Sequence, residues 1–136
     1  MNHVCYIKKD MLVIRLNGDL DHHITEQIRD EIDEKTEKYR IKTLVFDFEG
    51  VGFMDSAGIG LLMGRYKKIK NVGGEIYVSN IGLHLQRIFR MSGLYKILKQ
   101  SSQIDGIIKK LEVTYEQTNS AICRTAFSNI GLLSRA

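Results

Sequence analysis

The stretch FEGVGFMDSAGIGLLMGRYKKI, residues 48–69, spans a junction between two predicted elements. The run that leads into it, KTLVFDF at residues 42–48, contains consecutive apolar residues, as expected for a strand buried on both faces. From Gly58 onward the apolar residues keep helical spacing; they are Ile59, Leu62, Met63, Tyr66 and Ile69. The junction therefore predicts a strand, a turn that carries Asp55 and Ser56, and a helix.

The first part of the chain predicts a hairpin followed by a helix. The runs HVCYIKK (residues 3–9) and MLVIRLNG (residues 11–18) are strand-like, and the second alternates apolar side chains. Residues 22–39 predict an amphipathic helix because isoleucine recurs at every fourth position, at Ile24, Ile28 and Ile32. Asp21 stands directly before this helix and is a natural N-cap.

The second half of the chain continues the alternation. EIYVSN, residues 75–80, predicts a strand, and residues 81–89 predict a helix that ends near Gly93. YKILK, residues 95–99, predicts a last strand, and residues 104–111 predict a last helix. The order β-β-α-β-α-β-α-β-α indicates an α/β fold with a small mixed, largely parallel sheet and helices mainly on one face.

Composition describes an ordinary soluble globular chain. Its 136 residues are enough for one domain, with 43% hydrophobic and 26% charged residues. The sequence contains no run of about 18 apolar residues and no basic-then-apolar leader at its N-terminus. We therefore expect no membrane span and a cytoplasmic location.

The cysteines and the net charge carry no clear functional signal. Cys5 and Cys123 lie far apart without a CxxC motif, so they are expected to be free thiols. The net charge of +4 comes largely from lysines interleaved with apolar residues at helical spacing. Such placement favours solvated helix faces over direct binding of nucleic acid.

Three loops are predicted to leave the carboxyl ends of neighbouring strands, at residues 17–23, 49–58 and 79–82. Such loops gather at one edge of a parallel sheet, where binding sites tend to form. If the strands before the first two loops are parallel neighbours, four side chains share this edge: Asp19, Asp21, Asp55 and Ser56.

Three chemistries at this edge each lack a required residue. A serine nucleophile elbow needs a glycine where Met54 stands, and no histidine is fixed as its base by spacing. The glycines of the predicted helix match neither a dinucleotide fingerprint nor a P-loop. A metal site would lack its second half, although ligand-type residues cluster at Asp19, Asp21, His22, His23 and Glu26.

Ser56 keeps two compatible roles at a predicted helix N-terminus. In the first role, the side chain of Asp55 or Ser56 caps the helix and stabilises it by about 1 kcal/mol. Alternatively, a small hydroxyl beside Ala57 and Gly58 on a protruding turn is accessible to a kinase as a phosphoacceptor. The residues by themselves leave both roles open.

Three segments in this order and spacing carry a family likeness: NGDLDHH (residues 17–23), VFDFEGVGFMDSAGIGLLMGRYK (residues 45–67) and GGEIYVSNI (residues 73–81). Together they resemble the anti-sigma factor antagonists of the STAS-domain family, most closely the stage II sporulation (SpoIIAA-type) group. The likeness runs from about residue 3 to about residue 112. It implies a STAS-like fold and a non-enzymatic regulatory function.

The resemblance implies a phosphorylation switch. The unphosphorylated antagonist binds an anti-sigma factor and releases a sporulation sigma factor; the anti-sigma factor is also a serine kinase, and a serine phosphatase reverses its action. By motif match Ser56 is the phosphoacceptor, and Ala57 replaces a second serine found in many relatives. The partner-binding residues implied are Asp21, His22, Asp55, Ser56, Ala57, Gly58, Ser79 and Asn80. No cofactor, metal, nucleic acid or membrane is implied.

Some of the sequence stays outside this interpretation. We expect residues 1–112 to form the domain and residues 113–136 to be a C-terminal extension of unknown role. That extension could dock on the domain, bind a partner or be poorly ordered. The alternative function is a small nucleotide-binding or hydrolytic protein that uses the same strand-end edge. The role of Asp21 is also open between orienting Ser56 and capping a helix.

Overall fold

The computed structural model describes residues 3–117, with side chains described for residues 3–111. The strands are β1 (His3–Lys8), β2 (Met11–Asn17), β3 (Thr43–Gly50) and β4 (Glu75–Ser79). The helices are α1 (His22–Lys38), α2 (Ser56–Asn71), α3 (Leu83–Ser92) and α4 (Ser102–Gln117). None of the described helices is both long enough and apolar enough to cross a membrane.

The four strands form one mixed sheet in the order β1-β2-β3-β4. β1 and β2 make the predicted antiparallel hairpin, and β3 and β4 follow as parallel neighbours of β2 and β3. Ile14, Phe46 and Val78 lie side by side across the three parallel strands. Parallel neighbours need a crossover connection, which α1 supplies between β2 and β3, and α2 between β3 and β4.

The sheet has a hydrophobic core on each face, because both faces are covered by helices. On one face, side chains such as Phe46 and Val78 pack with apolar residues of α1, α2 and α3. On the other face, Val13 and Val45 pack with Ile104 and Ile108 of α4. Both expectations are therefore confirmed: β3 is buried on two sides, and three of the four described helices share one face.

The glycine pair after α2 has the predicted role of ending that helix. Gly73 adopts φ 76, a left-handed backbone conformation that favours glycine. Gly74 packs so closely on the carbonyl oxygen of Lys42 that an added Cβ would collide with backbone. The turn thereby brings the chain directly from α2 into β4, whose first N–H donates to Lys42 at 2.8 Å.

The prediction of a fifth strand over residues 95–99 is wrong. Leu94–Lys96 forms a short 3₁₀ helix after Gly93, which has φ 80. Leu94 and Leu98, four residues apart, are both buried in the larger core, and helical spacing explains this better than strand alternation. Strand pairing is reduced to one bridge, between Tyr77 and Lys99.

The C-terminal part of the described chain is helical beyond the expected domain end. α4 runs through residue 112 to Gln117, and its predicted apolar face packs on the sheet through Ile104 and Ile108. The expectations for the rest of the extension, and for Cys123, concern residues outside the described part of the chain. Within the described part of the chain, Cys5 is buried and makes no disulfide.

Candidate functional site

The loops after β2 and β3 are joined by backbone hydrogen bonds. The amide of Gly18 donates to Gly50 at 2.9 Å, and the amide of Leu20 donates to Phe53 at 3.0 Å. The amide of Asp55 donates back to Leu20 at 3.2 Å. This ladder extends the parallel pairing beyond the strands and holds the two loops at one edge. The predicted convergence of the segments that carry Asp19, Asp21, Asp55 and Ser56 is confirmed.

Asp55 is the N-cap of α2, and Ser56 is the first helical residue. Oδ1 of Asp55 accepts hydrogen bonds from the backbone N–H groups of Ala57 at 2.8 Å and Gly58 at 3.4 Å. The Ser56 side chain is exposed, and within residues 3–111 its hydroxyl makes no hydrogen bond. Of the two capping alternatives, the geometry selects Asp55, which leaves the Ser56 hydroxyl accessible.

Gly58 lets the first turn of α2 lie directly against the loop. A Cβ at this position would be 2.9 Å from the Cβ of Met54, closer than side chains tolerate. Met54 is itself buried and bridges to Leu20 in the neighbouring loop. The methionine that breaks the nucleophile-elbow pattern therefore anchors the turn, and the glycine positions Ser56 relative to that anchor.

Asp21 caps α1 in the same way as Asp55 caps α2. Its Oδ1 accepts from the backbone N–H groups of His23 at 3.0 Å and Ile24 at 3.1 Å. His22 is exposed, and its ring lies 3.9 Å from the ring of His23. The capping role of Asp21 has direct geometric support, whereas the structure shows no hydrogen bond from Asp21 to Ser56 among the described residues.

Ser79 ends β4 and Asn80 follows it, but both direct their side chains toward the α4 side of the sheet. Ser79 is buried, and its hydroxyl donates to the carboxylate of Asp105 in α4. Asn80, at φ 58, donates through Nδ2 to Oδ1 of the buried Asp47 at 2.8 Å. These two residues share the strand-end edge with Ser56, but their side chains are engaged elsewhere.

An apolar patch that includes a residue of the Ser56 loop could not be identified from the sequence. Phe53 is 46% exposed and stacks on the ring of His84 at a centroid distance of 6.3 Å. Leu83, which precedes His84 and is the first residue of α3, is 86% exposed. Phe53 lies in a loop, where neither strand nor helix periodicity assigns a face. We call Phe53, Leu83 and His84 the apolar patch.

A groove of about 460 Å³ lies between α1 and α2, and Ala57, the residue after Ser56, is part of its lining. His22 and Arg29 of α1 line it opposite Ala57 and Arg65 of α2. Burial lowers the pKa of Arg65, and the nearby Asp33 carboxylate, 3.0 Å from Nε, opposes this shift. The groove thus brings two predicted partner-binding residues, His22 and Ala57, together with two cationic side chains.

Capping by Asp55 gives a direct stability prediction. Asp55→Ala removes an acceptor for two helix N–H groups, so the free energy of unfolding should fall by about 1 kcal/mol. Asp55→Asn keeps an oxygen acceptor and should lose much less. Urea denaturation measures both variants. If Asn destabilised the protein as much as Ala, the negative charge rather than the cap would be responsible.

The chain is similar to known proteins in both sequence and fold. The STAS domain model matches residues 3–112. The anti-sigma F factor antagonist of Paenibacillus polymyxa is 35% identical over 105 residues, which cover 77% of this chain and 90% of that protein. The anti-sigma factor antagonist SpoIIAA in its unphosphorylated form has a TM-score of 0.69 and 31% identity, over 81% of this chain and 96% of that one. The phosphorylated form of the Bacillus cell fate determinant SpoIIAA has a TM-score of 0.64 and 31% identity, over 79% and 97% of the two chains.

Proposed function

The chain belongs to the STAS domain family, and on this premise we propose that it is an anti-sigma factor antagonist of the stage II sporulation type. In its unphosphorylated form it binds an anti-sigma factor and thereby releases a sporulation sigma factor, which activates transcription. Phosphorylation of Ser56 by the serine kinase activity of the anti-sigma factor ends this interaction, and a serine phosphatase restores it.

One observation carries the assignment of Ser56. The serine is the first residue of α2, its side chain is exposed, and Asp55 already caps the helix by accepting from two of its backbone N–H groups. A hydroxyl that is needed for capping would be held inward, whereas this one is available to a kinase active site. The similarity to a protein known in unphosphorylated and phosphorylated forms supports the same proposal.

A phosphate on Ser56 would switch binding without unfolding the domain. It adds about −1.5 to −2 charges at neutral pH, at a helix N-terminus where the dipole and backbone N–H groups favour anions. The carboxylates of Asp19, Asp21 and Asp55 already make this edge negative. The added bulk and charge therefore act mainly on the partner, which meets a more negative and more crowded surface.

The partner-binding surface centres on the start of α2. The joined loops lead directly into the starts of α1 and α2, which carry Asp21, His22, Asp55, Ser56, Ala57 and Gly58. Phe53 of the apolar patch lies in one of these loops, and His22 and Ala57 line the groove. Ser79 and Asn80, implied by the resemblance, would act by shaping the loop after β4, because their side chains bond to Asp105 and Asp47.

The hydrolytic alternative is not favoured by the histidines of this edge. His22 lies against His23, and His84 stacks on Phe53. Within residues 3–111, Ser56 has no hydrogen bond to a histidine that could act as its base. We propose that the chain is not an enzyme. Incubation with ATP or GTP alone separates the alternatives, since the switch stays inert until a cognate kinase is added.

We further propose that residues 1–112 form the STAS domain and that residues 113–136 are an extension whose role is open. The proposed partner controls a sigma factor, which acts where RNA polymerase works, so the proposed location is the cytoplasm. Direct contact with nucleic acid or membrane is no part of the proposal.

Release of a sigma factor tests the function itself. A preformed complex of the anti-sigma factor with labelled sigma factor is titrated with this protein, and fluorescence anisotropy follows the label. Unphosphorylated protein should free the sigma factor in proportion to the amount added. Protein pretreated with the kinase and ATP should not, and phosphatase treatment should restore release. Failure of the unphosphorylated protein to displace any sigma factor would contradict the proposal.

The apolar patch gives a second test of the binding surface. Phe53→Ala should weaken anti-sigma factor binding by about 2 kcal/mol or more, as expected for an aromatic anchor at an interface. Its effect on stability should be small because the ring is half exposed. Val72→Ala is the matched control, since Val72 is 50% exposed but follows α2 at its other end. Calorimetric titration measures both; equal affinities for the two variants would remove the patch from the interface.

A further inference from the structure

Three side chains of zinc-ligand type, none of them predicted to bind the partner, meet between β1 and α1. His3 and Cys5 are two residues apart on β1, so both point to the same face, and α1 places Glu31 opposite them. One ligand atom from each of the three lies within 4.8 Å of the other two. This convergence joins positions 26 or more residues apart in the sequence.

The contacts within this cluster all converge on one carboxylate oxygen. Oε2 of Glu31 lies 3.0 Å from Nε2 of His3 and 3.1 Å from Sγ of Cys5. His3 and Cys5 are buried, with 7% and 5% exposure, while the Glu31 side chain is 28% exposed. Lys35, on the next turn of α1, reaches the same oxygen at 3.5 Å from the solvent side. The cluster is therefore buried on the side of β1 and partly exposed to solvent on the side of α1.

The Nε2 atom of His3 is buried, which places a nitrogen of zinc-ligand type inside the cluster. Nε2 of His3 makes no well-directed hydrogen bond within the described residues, although it lies close to Oε2.

We propose that His3, Cys5 and Glu31 form a binding site for one Zn²⁺ ion. Imidazole nitrogen, thiolate sulfur and carboxylate oxygen are the three ligand types that zinc takes in proteins, whereas Mg²⁺ and Ca²⁺ prefer oxygen alone. Tetrahedral zinc bonds place ligand atoms about 3.4–3.6 Å apart, so the contacts of 3.0 and 3.1 Å to Glu31 would lengthen on binding, and the third pair, which lies within 4.8 Å, would adjust to the same spacing. Water on the exposed side of Glu31 supplies the fourth ligand. Binding releases the thiol proton of Cys5 to solvent.

Such an ion would cross-link the edge strand β1 to α1. β1 pairs with β2 on one side only, so its other edge has no strand partner in the described sheet. A bond through zinc adds a cross-link between β1 and α1, whose Glu31 lies 26 residues beyond Cys5 in the chain. The proposal is independent of Ser56 and of the anti-sigma factor, and its rival is a plain ion pair between His3 and Glu31.

The test uses the full chain, stripped of metal with a chelator and titrated with Co²⁺ and Zn²⁺. Co²⁺ should produce a thiolate-to-metal charge-transfer absorption with one ion per chain, and Zn²⁺ should displace it. Cys5→Ser should abolish this absorption. His3→Gln and Glu31→Gln should each weaken Zn²⁺ binding by at least about tenfold, the range in which even supporting residues of metal sites act.

Two control variants exclude other ligands of the chain. Cys123→Ser removes the other cysteine, and the double variant His22→Asn/His23→Asn removes the exposed histidine pair. Both should keep the Co²⁺ absorption. Zn²⁺ should also raise the melting temperature of wild-type protein and leave that of His3→Gln unchanged. This comparison tests the site even if Cys5→Ser does not fold. Absorption that persists in Cys5→Ser, or equal Zn²⁺ affinity in wild type and His3→Gln, would overturn the site in favour of the ion pair.

Discussion

Ser56→Asp is expected to weaken binding to the anti-sigma factor by about 3 kcal/mol, or roughly a hundredfold, because it places an unpaired charge in the interface. Ser56→Ala should bind nearly as well as wild type, since it removes only an exposed hydroxyl. Isothermal titration calorimetry against the purified anti-sigma factor measures all three proteins. The difference between Asp and Ala isolates the charge from the loss of the serine.

Ser102 offers a matched control for this substitution. It is also exposed and is the first residue of a helix, α4, so Ser102→Asp adds the same charge in the same local setting at another place. Its affinity should equal that of wild type. Ser56→Asp should also keep the helical circular dichroism signal and melting temperature of wild type, because a helix N-terminus favours negative charge. A large loss of either would show that the variant acts through unfolding, contrary to the proposed switch.

Phe89→Ala should lower the free energy of unfolding by about 3–5 kcal/mol, the usual cost of deleting a buried phenylalanine ring. Phe89 is fully buried and packs edge-to-face on Phe48 at a centroid distance of 5.3 Å. Tyr95 lies at the same distance on its other side. The ring therefore connects α3, β3 and the 3₁₀ segment, and its loss leaves a cavity between three elements.

Met91→Ala on the same helix is the control for Phe89→Ala. Met91 is 83% exposed, so its truncation should change the free energy of unfolding by no more than about 0.5 kcal/mol. Chemical denaturation in urea measures both variants. A loss below 1 kcal/mol for Phe89→Ala would mean that α3 is not packed on the sheet as described.

Local pattern was sufficient to predict most of the elements. The hairpin, the apolar stripe of α1 and the strand–turn–helix unit around Ser56 each produce their own periodicity, and the structure confirms them. The prediction of a strand over residues 95–99 was wrong because a short apolar run fits a strand and a helical turn equally well. There Gly93 and the burial of Leu94 and Leu98 decided the outcome, and burial depends on the surrounding fold.

The sequence predicted which backbone segments meet at the candidate site, but it did not predict where their side chains point. Parallel pairing of β2 and β3 follows from the order of elements, so the meeting of the Asp21 and Asp55 loops could be expected. By contrast, the bond from Ser79 to Asp105 depends on α4 covering the second face, and the bond from Asn80 to Asp47 depends on the left-handed conformation of Asn80. The His3–Cys5–Glu31 cluster depends on how α1 lies over β1, which no local pattern contains.

The central claim is that Ser56 is a substrate, an exposed hydroxyl that a partner kinase phosphorylates. The most direct measurement is mass spectrometry of the full chain and of its proteolytic peptides after incubation with the anti-sigma factor and ATP. We expect one added phosphate, located on Ser56, and none on Ser56→Ala under the same conditions, with Ser102→Ala phosphorylated like wild type. A phosphate on any other residue, or full phosphorylation of Ser56→Ala, would contradict the account.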